Sequence, residues 1–179
     1  MEESGCSVTI LFRIAILVLI CLTFSGCQQQ TTDAITEEDA KALMDRYMEI
    51  HNEGTLELAD EIFHPEFVLK TPFLPEPIVG IQALKDVITN LRKTFADFKG
   101  TIEEVVVKGD KIWSRYTMTG TNTGPLGDLP PTGKKMHVTG MAITRVADGK
   151  IIEDQTYWNV LGLYQQLGFT LTPPQAEKM

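Results

Sequence analysis

Two adjacent acids, Glu153 and Asp154, interrupt a stretch that is otherwise apolar and aromatic, with Ile151 and Ile152 before them and Tyr157 and Trp158 after. Alternation along a strand sends one acid into the domain and the other out. A carboxylate facing an apolar interior loses hydration, its pKa rises, and it becomes a candidate general base. Facing water, it is an ordinary surface acid. His137 lies on the strand expected just before. A two-residue turn at Asp148-Gly149 puts His137 and Asp154 on one sheet face, whereas a single bulge residue puts them on opposite faces. His51 falls at the end of a helix, where histidine caps carbonyls, and His64 precedes a proline in a turn. Three scattered histidines lack metal-ligand spacing. Trp113, Tyr116, Tyr157 and Trp158 read as core residues, one or two of which would line an open cavity. No serine stands in a nucleophile elbow, and no glycine-rich phosphate loop follows a strand.

The elements that must position these groups are legible in the periodicity. Thr36 followed by Glu37, Glu38 and Asp39 predicts a helix start, a hydroxyl cap with acids in the first turn. Ala40, Leu43, Met44, Tyr47 and Met48 continue at helical spacing until Asn52-Glu53-Gly54. A second helix is expected over 56–63, ended by His64-Pro65. A short strand follows over 67–71. Pro72, Pro75 and Pro77 argue against regular structure before Gly80, and Leu84, Val87, Ile88, Leu91 and Phe95 mark a third helix. From residue 101 the period becomes two. Strands over 101–107 and 111–121 flank Lys108-Gly109-Asp110, and strands over 134–146 and 150–159 flank Asp148-Gly149, giving two hairpins. Residues 124–133 form a Gly/Pro-rich loop, and a short helix over 160–168 ends the domain. The order α-α-β-α-β-β-β-β-α predicts an α+β domain, with helices on one face of a curved, mainly antiparallel sheet that leaves a small-molecule pocket.

The chain has 179 residues, enough for one domain of ordinary size. Its net charge is -8 and no Lys/Arg run exceeds two residues, which argues against a nucleic-acid partner. Cys6, Cys21 and Cys27 all stand near the N-terminus. The domain beyond them therefore has no disulfide, cysteine nucleophile or cysteine-based zinc site. Residues 14–24 form an apolar run after Arg13, shorter than the roughly 20 residues that span a bilayer, and fit the core of a signal peptide. An uncleaved N-terminal anchor is the other reading. Residues 28–35 read as a polar tether.

Phe24-Ser25-Gly26-Cys27 resembles the bacterial lipobox. That resemblance implies a signal peptide over 1–26, lipidation of Cys27, and an exported protein tethered to a membrane of the cell envelope. Residues 27–35 are then the anchored tether, 36–170 the domain and 171–179 a tail. Within the domain, Phe95-Ala-Asp97-Phe, Gly120-Thr-Asn-Thr-Gly124, Pro131-Thr-Gly133, Asp148-Gly-Lys-Ile-Ile-Glu153 and Leu161-Gly-Leu-Tyr-Gln-Gln-Leu-Gly168 together resemble the SnoaL-like polyketide cyclase (ester cyclase) family. The resemblance implies the cone-shaped fold named after nuclear transport factor 2. It also implies an intramolecular aldol closure without metal or organic cofactor, Asp154 as the catalytic acid/base, and a histidine paired with that acid. His137 is the candidate for that partner, and a surface histidine is the other reading. The expected pocket includes Asn122 and His137, with Tyr116 and Trp158 as the aromatic residues that would line an open cone. A homodimer formed through the outer sheet face is a further implication. Many relatives carry histidine at the position of Asn122 and an acid at that of Asn159. Asparagine binds ligands by hydrogen bonds but exchanges no protons near neutral pH. The alternative expectation is thus a tethered, non-catalytic domain that binds a small apolar ligand.

Overall fold

The computed structural model describes residues 34–72, 74–170 and 172. The expected signal peptide, Cys27, the tether as far as residue 33 and nearly all of the tail lie outside the described residues. Among the described residues the order is α1 (Glu37–Glu53), α2 (Leu58–Ile62), β1 (Phe63–Lys70), β2 (Ile78–Val79), α3 (Ile81–Thr94), β3 (Lys99–Lys108), β4 (Lys111–Thr121), β5 (Lys135–Ala147), β6 (Lys150–Trp158) and α4 (Val160–Gln166). The strands form one six-stranded sheet in the order β2-β1-β6-β5-β4-β3. β1 pairs with β6 in parallel, and the other neighbours are antiparallel. This is the α+β architecture that the sequence predicts.

Local chemistry explains the helix ends. Thr36 caps α1 by accepting the Asp39 N–H at 3.1 Å, and three acids fill the first turn, where the helix dipole favours them. Gly54 ends the helix in the left-handed conformation, φ 78°, and its N–H donates to the Ile50 carbonyl. Arg92 on α3 then donates to the free carbonyls of His51, at 2.9 Å, and Asn52, so one helix supplies the C-terminal cap of another. The apolar stripe of α1 (Ala40, Leu43, Met44, Tyr47, Ile50) packs with Phe63, Phe67, Leu84, Ile88, Ile112 and Ile151 as the main core. A second core gathers Phe95, Phe98, Met136, Val138, Leu163 and Leu167 under α4. β5 runs past the end of β6, and there Gln166 of α4 takes the place of a strand. It donates to the His137 carbonyl at 3.1 Å and accepts the His137 N–H at 2.7 Å.

Two expectations are corrected near Pro65. The strand expected over 67–71 begins at Phe63, so His64 and Pro65 lie in β1 rather than in a turn, and α2 ends at Ile62 rather than at residue 63. The pairing with β6 explains the tolerance. Phe63 pairs with Ile151 and Val68 with Glu153, so β1 uses five steps where β6 uses two. Pro65 sits in the bulged-out surplus, where its missing N–H removes no ladder bond. The second correction is β2, two residues inside the proline-rich stretch. It pairs Val79 with Val68 and Ile78 with Leu69, giving six strands instead of five.

Gly54 combines a left-handed backbone with crowding, because a Cβ there would stand 2.9 Å from Arg92 Nε. Gly54→Ala is expected to lower the unfolding free energy by about 1–2 kcal/mol in urea titration, the usual cost of a β-carbon in that conformation.

Candidate active site

The face on which each β6 acid sits is decided by one extra residue. β5 and β6 leave their turn with Ala147 opposite Lys150 and Val146 opposite Ile151, but Arg145 is then opposite Glu153. Ile152 is the bulge. Without it, strand alternation would carry Ile151 and Glu153 inward together and turn Asp154 outward. With it, Ile151 and Asp154 both face the helices, and Glu153 faces out between Lys70 Nζ at 3.1 Å and Arg145 Nη2 at 3.6 Å. Lys70, hydrogen-bonded to Glu153, holds that carboxyl below its ordinary range.

Asp154 is 2% exposed. Its register partner Thr144 donates to Oδ1 at 2.7 Å, and Tyr47 of α1 donates to Oδ2 at 3.2 Å. Burial pushes the Asp154 pKa up to about 6, while the two hydroxyl donors, which favour the charged form, oppose that rise. Tyr47 itself is driven well above its ordinary value, by burial first and by the neighbouring carboxylate second. Its ring is set by edge contacts with His51 (4.9 Å between centroids) and Phe63 (5.1 Å), and His51 Nδ1–H donates to the Tyr47 carbonyl at 3.1 Å. A carboxylate with a nearly neutral pKa, fixed through both oxygens and shielded from water, has the properties of a general base.

The other predicted residues divide. Tyr116, on β4 opposite Gly140, shares the inner face and is buried, and its hydroxyl hydrogen-bonds Thr156 Oγ1. Burial raises its pKa to about 12. Trp158 pairs with Gly140 on the same face and packs against the second core. His137 does not join them. The Ile152 bulge puts it on the outer face, exposed, as the second of the two register alternatives requires. Asn122 is fully buried, but its side chain is consumed by the loop that follows β4. Nδ2 donates to the Gly124 carbonyl at 2.7 Å, and Oδ1 accepts the Thr132 N–H at 2.8 Å and hydroxyl at 3.0 Å. Asn159 caps α4 by accepting the Gly162 N–H at 2.8 Å. His64 Nδ1 accepts the Glu66 N–H within the β1 bulge.

Tyr47 and Thr144 are the partners of Asp154 that sequence reasoning missed. Tyr47 reads as one more position of an apolar stripe, and its polar tip is the single local signal. Thr144 is opposite Asp154 only once the bulge is counted. A separate surface groove of about 360 Å³ runs between α1 and β3, lined by Asp45, Met48, Glu49, Asn52, Gly100 and Ile102 among others. It contains none of the residues around Asp154.

A sequence profile described as the SnoaL-like polyketide cyclase matches residues 41–167, most of the described domain. The chain belongs to the SnoaL-like polyketide cyclase family. It is 26% identical over 136 residues to an aklanonic acid methyl ester cyclase of Streptomyces peucetius, covering 74% of this chain and 93% of that one. It is 25% identical over 119 residues to a nogalonic acid methyl ester cyclase of Streptomyces nogalater, covering 65% of this chain and 88% of that one. Among solved structures, TsrD from Streptomyces laurentii superposes with a TM-score of 0.68 at 29% identity, over 75% of this chain and 98% of that one. A protein of ketosteroid isomerase-like fold from Catenulispora acidiphila superposes with a TM-score of 0.63 at 14% identity, over 73% of this chain and 97% of that one, a likeness of fold alone. The α+β sheet is thus the nuclear-transport-factor-2-like fold of this family.

The raised Asp154 pKa has a stability signature. Between about pH 4 and about pH 6 the folded chain holds a proton that the unfolded chain has released, so folding stability falls as pH rises through that window. Above it this group adds no further slope. A rise from the ordinary aspartate value to about 6 corresponds to about 3 kcal/mol in total. Urea titrations of the parent and Asp154→Asn across pH 4–7 should differ by a slope of that sign, absent in the variant.

Proposed function

We propose that the protein closes a ring in a carbonyl compound by acid/base catalysis, with Asp154 as the base. The observation that carries this reading is the buried Asp154 carboxylate held by Tyr47 and Thr144. Family membership and the ester cyclases among its relatives support it. In this reaction the Asp154 carboxylate removes a proton from a carbon flanked by carbonyls. The resulting enolate carbon attacks a second carbonyl of the same molecule, and the new alkoxide takes a proton back from Asp154. A base of pKa about 6 is largely ionised at neutral pH yet stronger than an exposed aspartate, which favours this transfer. Tyr47 and Thr144 position the carboxylate and limit its basicity.

The test substrate is aklanonic acid methyl ester, chosen from the names of the relatives. Asp154→Asn is expected to lower the cyclisation rate by about 10²–10⁴-fold. In the parent, kcat/KM should rise through about pH 6 and then level off. Turnover that survives Asp154→Asn would defeat the assignment of the base. Ligand binding by a parent that turns over none of the ester would instead favour the non-catalytic binding domain, the second reading open to a chain whose Asn122 and Asn159 both serve the backbone.

We further propose that the chain is exported and held at a membrane of the cell envelope through lipid on Cys27. The support is the apolar run over 14–24, the Phe24-Ser25-Gly26-Cys27 sequence and the polar stretch that follows. No helix among the described residues is long and apolar enough to cross a membrane. Cys27→Ala should move the protein from the membrane fraction to the soluble fraction and leave its melting temperature unchanged. Membrane attachment retained by Cys27→Ala would refute the anchor.

A further inference from the structure

Beside the base, the inner face of the sheet carries a row of small and hydroxylated residues. Ser114 on β4 pairs with Ala142 on β5, and Ala142 pairs with Thr156 on β6. β1 runs parallel to β6 with Leu69 opposite Asp154 and Lys70 opposite Gln155. One residue further, the same register brings Thr71 level with Thr156. The row Thr156–Ala142–Ser114 therefore crosses β6, β5 and β4, and Thr71, the first residue after β1, continues its line; the row lies one inward-facing position along from the row that holds Asp154 and Thr144. On its other side lies the row of Tyr116, Gly140 and Trp158.

Among the described residues, two buried side-chain polar atoms have no hydrogen-bond partner, Thr71 Oγ1 and Ser114 Oγ. They are the two ends of that line. Ser114 is 2% exposed, and a buried hydroxyl without a partner is costly and uncommon in folded proteins. Two of them, at one level next to a buried carboxylate, are complemented by nothing that the chain itself supplies.

We propose that Ser114 and Thr71 are substrate-binding hydroxyls that donate to the carbonyl oxygens of the ligand, on either side of Asp154. Resting on the acid/base reading above, the proposal names the groups that receive the charge. As Asp154 removes the proton, the electron pair of the C–H bond moves into the enolate and negative charge collects on its oxygen. A hydroxyl already aimed at that oxygen stabilises the charge without reorganising. Thr156 and Tyr116 are engaged with each other.

The experiment uses Ser114→Ala and Thr71→Val, with 4-nitrophenol as the probe because its phenolate is a planar mimic of an enolate. Each variant should bind the probe more weakly than the parent, about tenfold where the deleted hydroxyl meets the charged phenolate oxygen and less where it meets the nitro group. The ligand-free melting temperature should stay the same or rise, because each deleted hydroxyl has no partner to lose. With a cyclisable ester, kcat should fall while KM changes less, since the bond strengthens as charge develops. Failure of the parent to bind the probe, or affinity unchanged in both variants, would overturn the proposal. So would a lowered melting temperature with affinity intact, which marks a structural hydroxyl. Asp154→Asn separates this proposal from the base assignment. Turnover retained in that variant refutes Asp154 as base, while weakened probe binding in Ser114→Ala and Thr71→Val still establishes the hydroxyl pair.

Discussion

A single surplus residue, Ile152, sets the phase of β6 and with it the chemistry of the domain. Each inward position of the strand has a row partner on β5 and β4, so shifting the phase by one residue exchanges every inner side chain for an outer one. The phase adopted buries one carboxylate beneath Tyr47 and hands the other to Lys70 and Arg145 at the surface. Neither acid could take the other's place: Glu153 would meet no basic partner inside, and Asp154 outside would keep its hydration and its ordinary pKa. Two hydroxyl donors oppose the cost of burying the carboxyl, and its pKa is raised to about 6.

Much of this fold is legible in the residues. The Thr36 cap, the αL stop at Gly54 and the two hairpin turns each follow from local chemistry, and β4 has the bounds its periodicity predicts. The Asp148-Gly149 turn has both residues at positive φ, 51° and 71°, as a tight hairpin requires. The less legible parts are those that depend on a distant strand. β2 exists because Val68 and Leu69 offer an edge to Ile78 and Val79, and Pro65 lies within a strand because β6 leaves that part of β1 slack. The site follows the same division. Asp154 can be singled out by its surroundings in sequence, but its orientation, the exclusion of His137 and the partnership of Thr144 all turn on a bulge that no local pattern announces. Tyr47 enters from a helix 107 positions away, and its role is visible only in three dimensions.

Elsewhere, polar side chains complete backbone structure where the elements run out. Arg92 closes the C-terminus of α1, Asn122 organises the loop after β4, Asn159 opens α4, and Gln166 pairs with β5 beyond the end of β6. Each meets backbone groups that would otherwise be buried without partners. Asn122 and Asn159 thus serve the architecture of the backbone. The buried hydroxyls of Thr71 and Ser114 differ from all of these because they complete nothing in the chain itself.

Gly140 leaves a gap in the inner face, and the Tyr116 ring lies in it. A β-carbon built at position 140 would stand 2.5 Å from the tyrosine oxygen. The same small volume can thus be filled from β5 or from β4, but not from both strands at once. The pair behaves as an exchangeable plug, whose material can come from either strand without any change in the backbone.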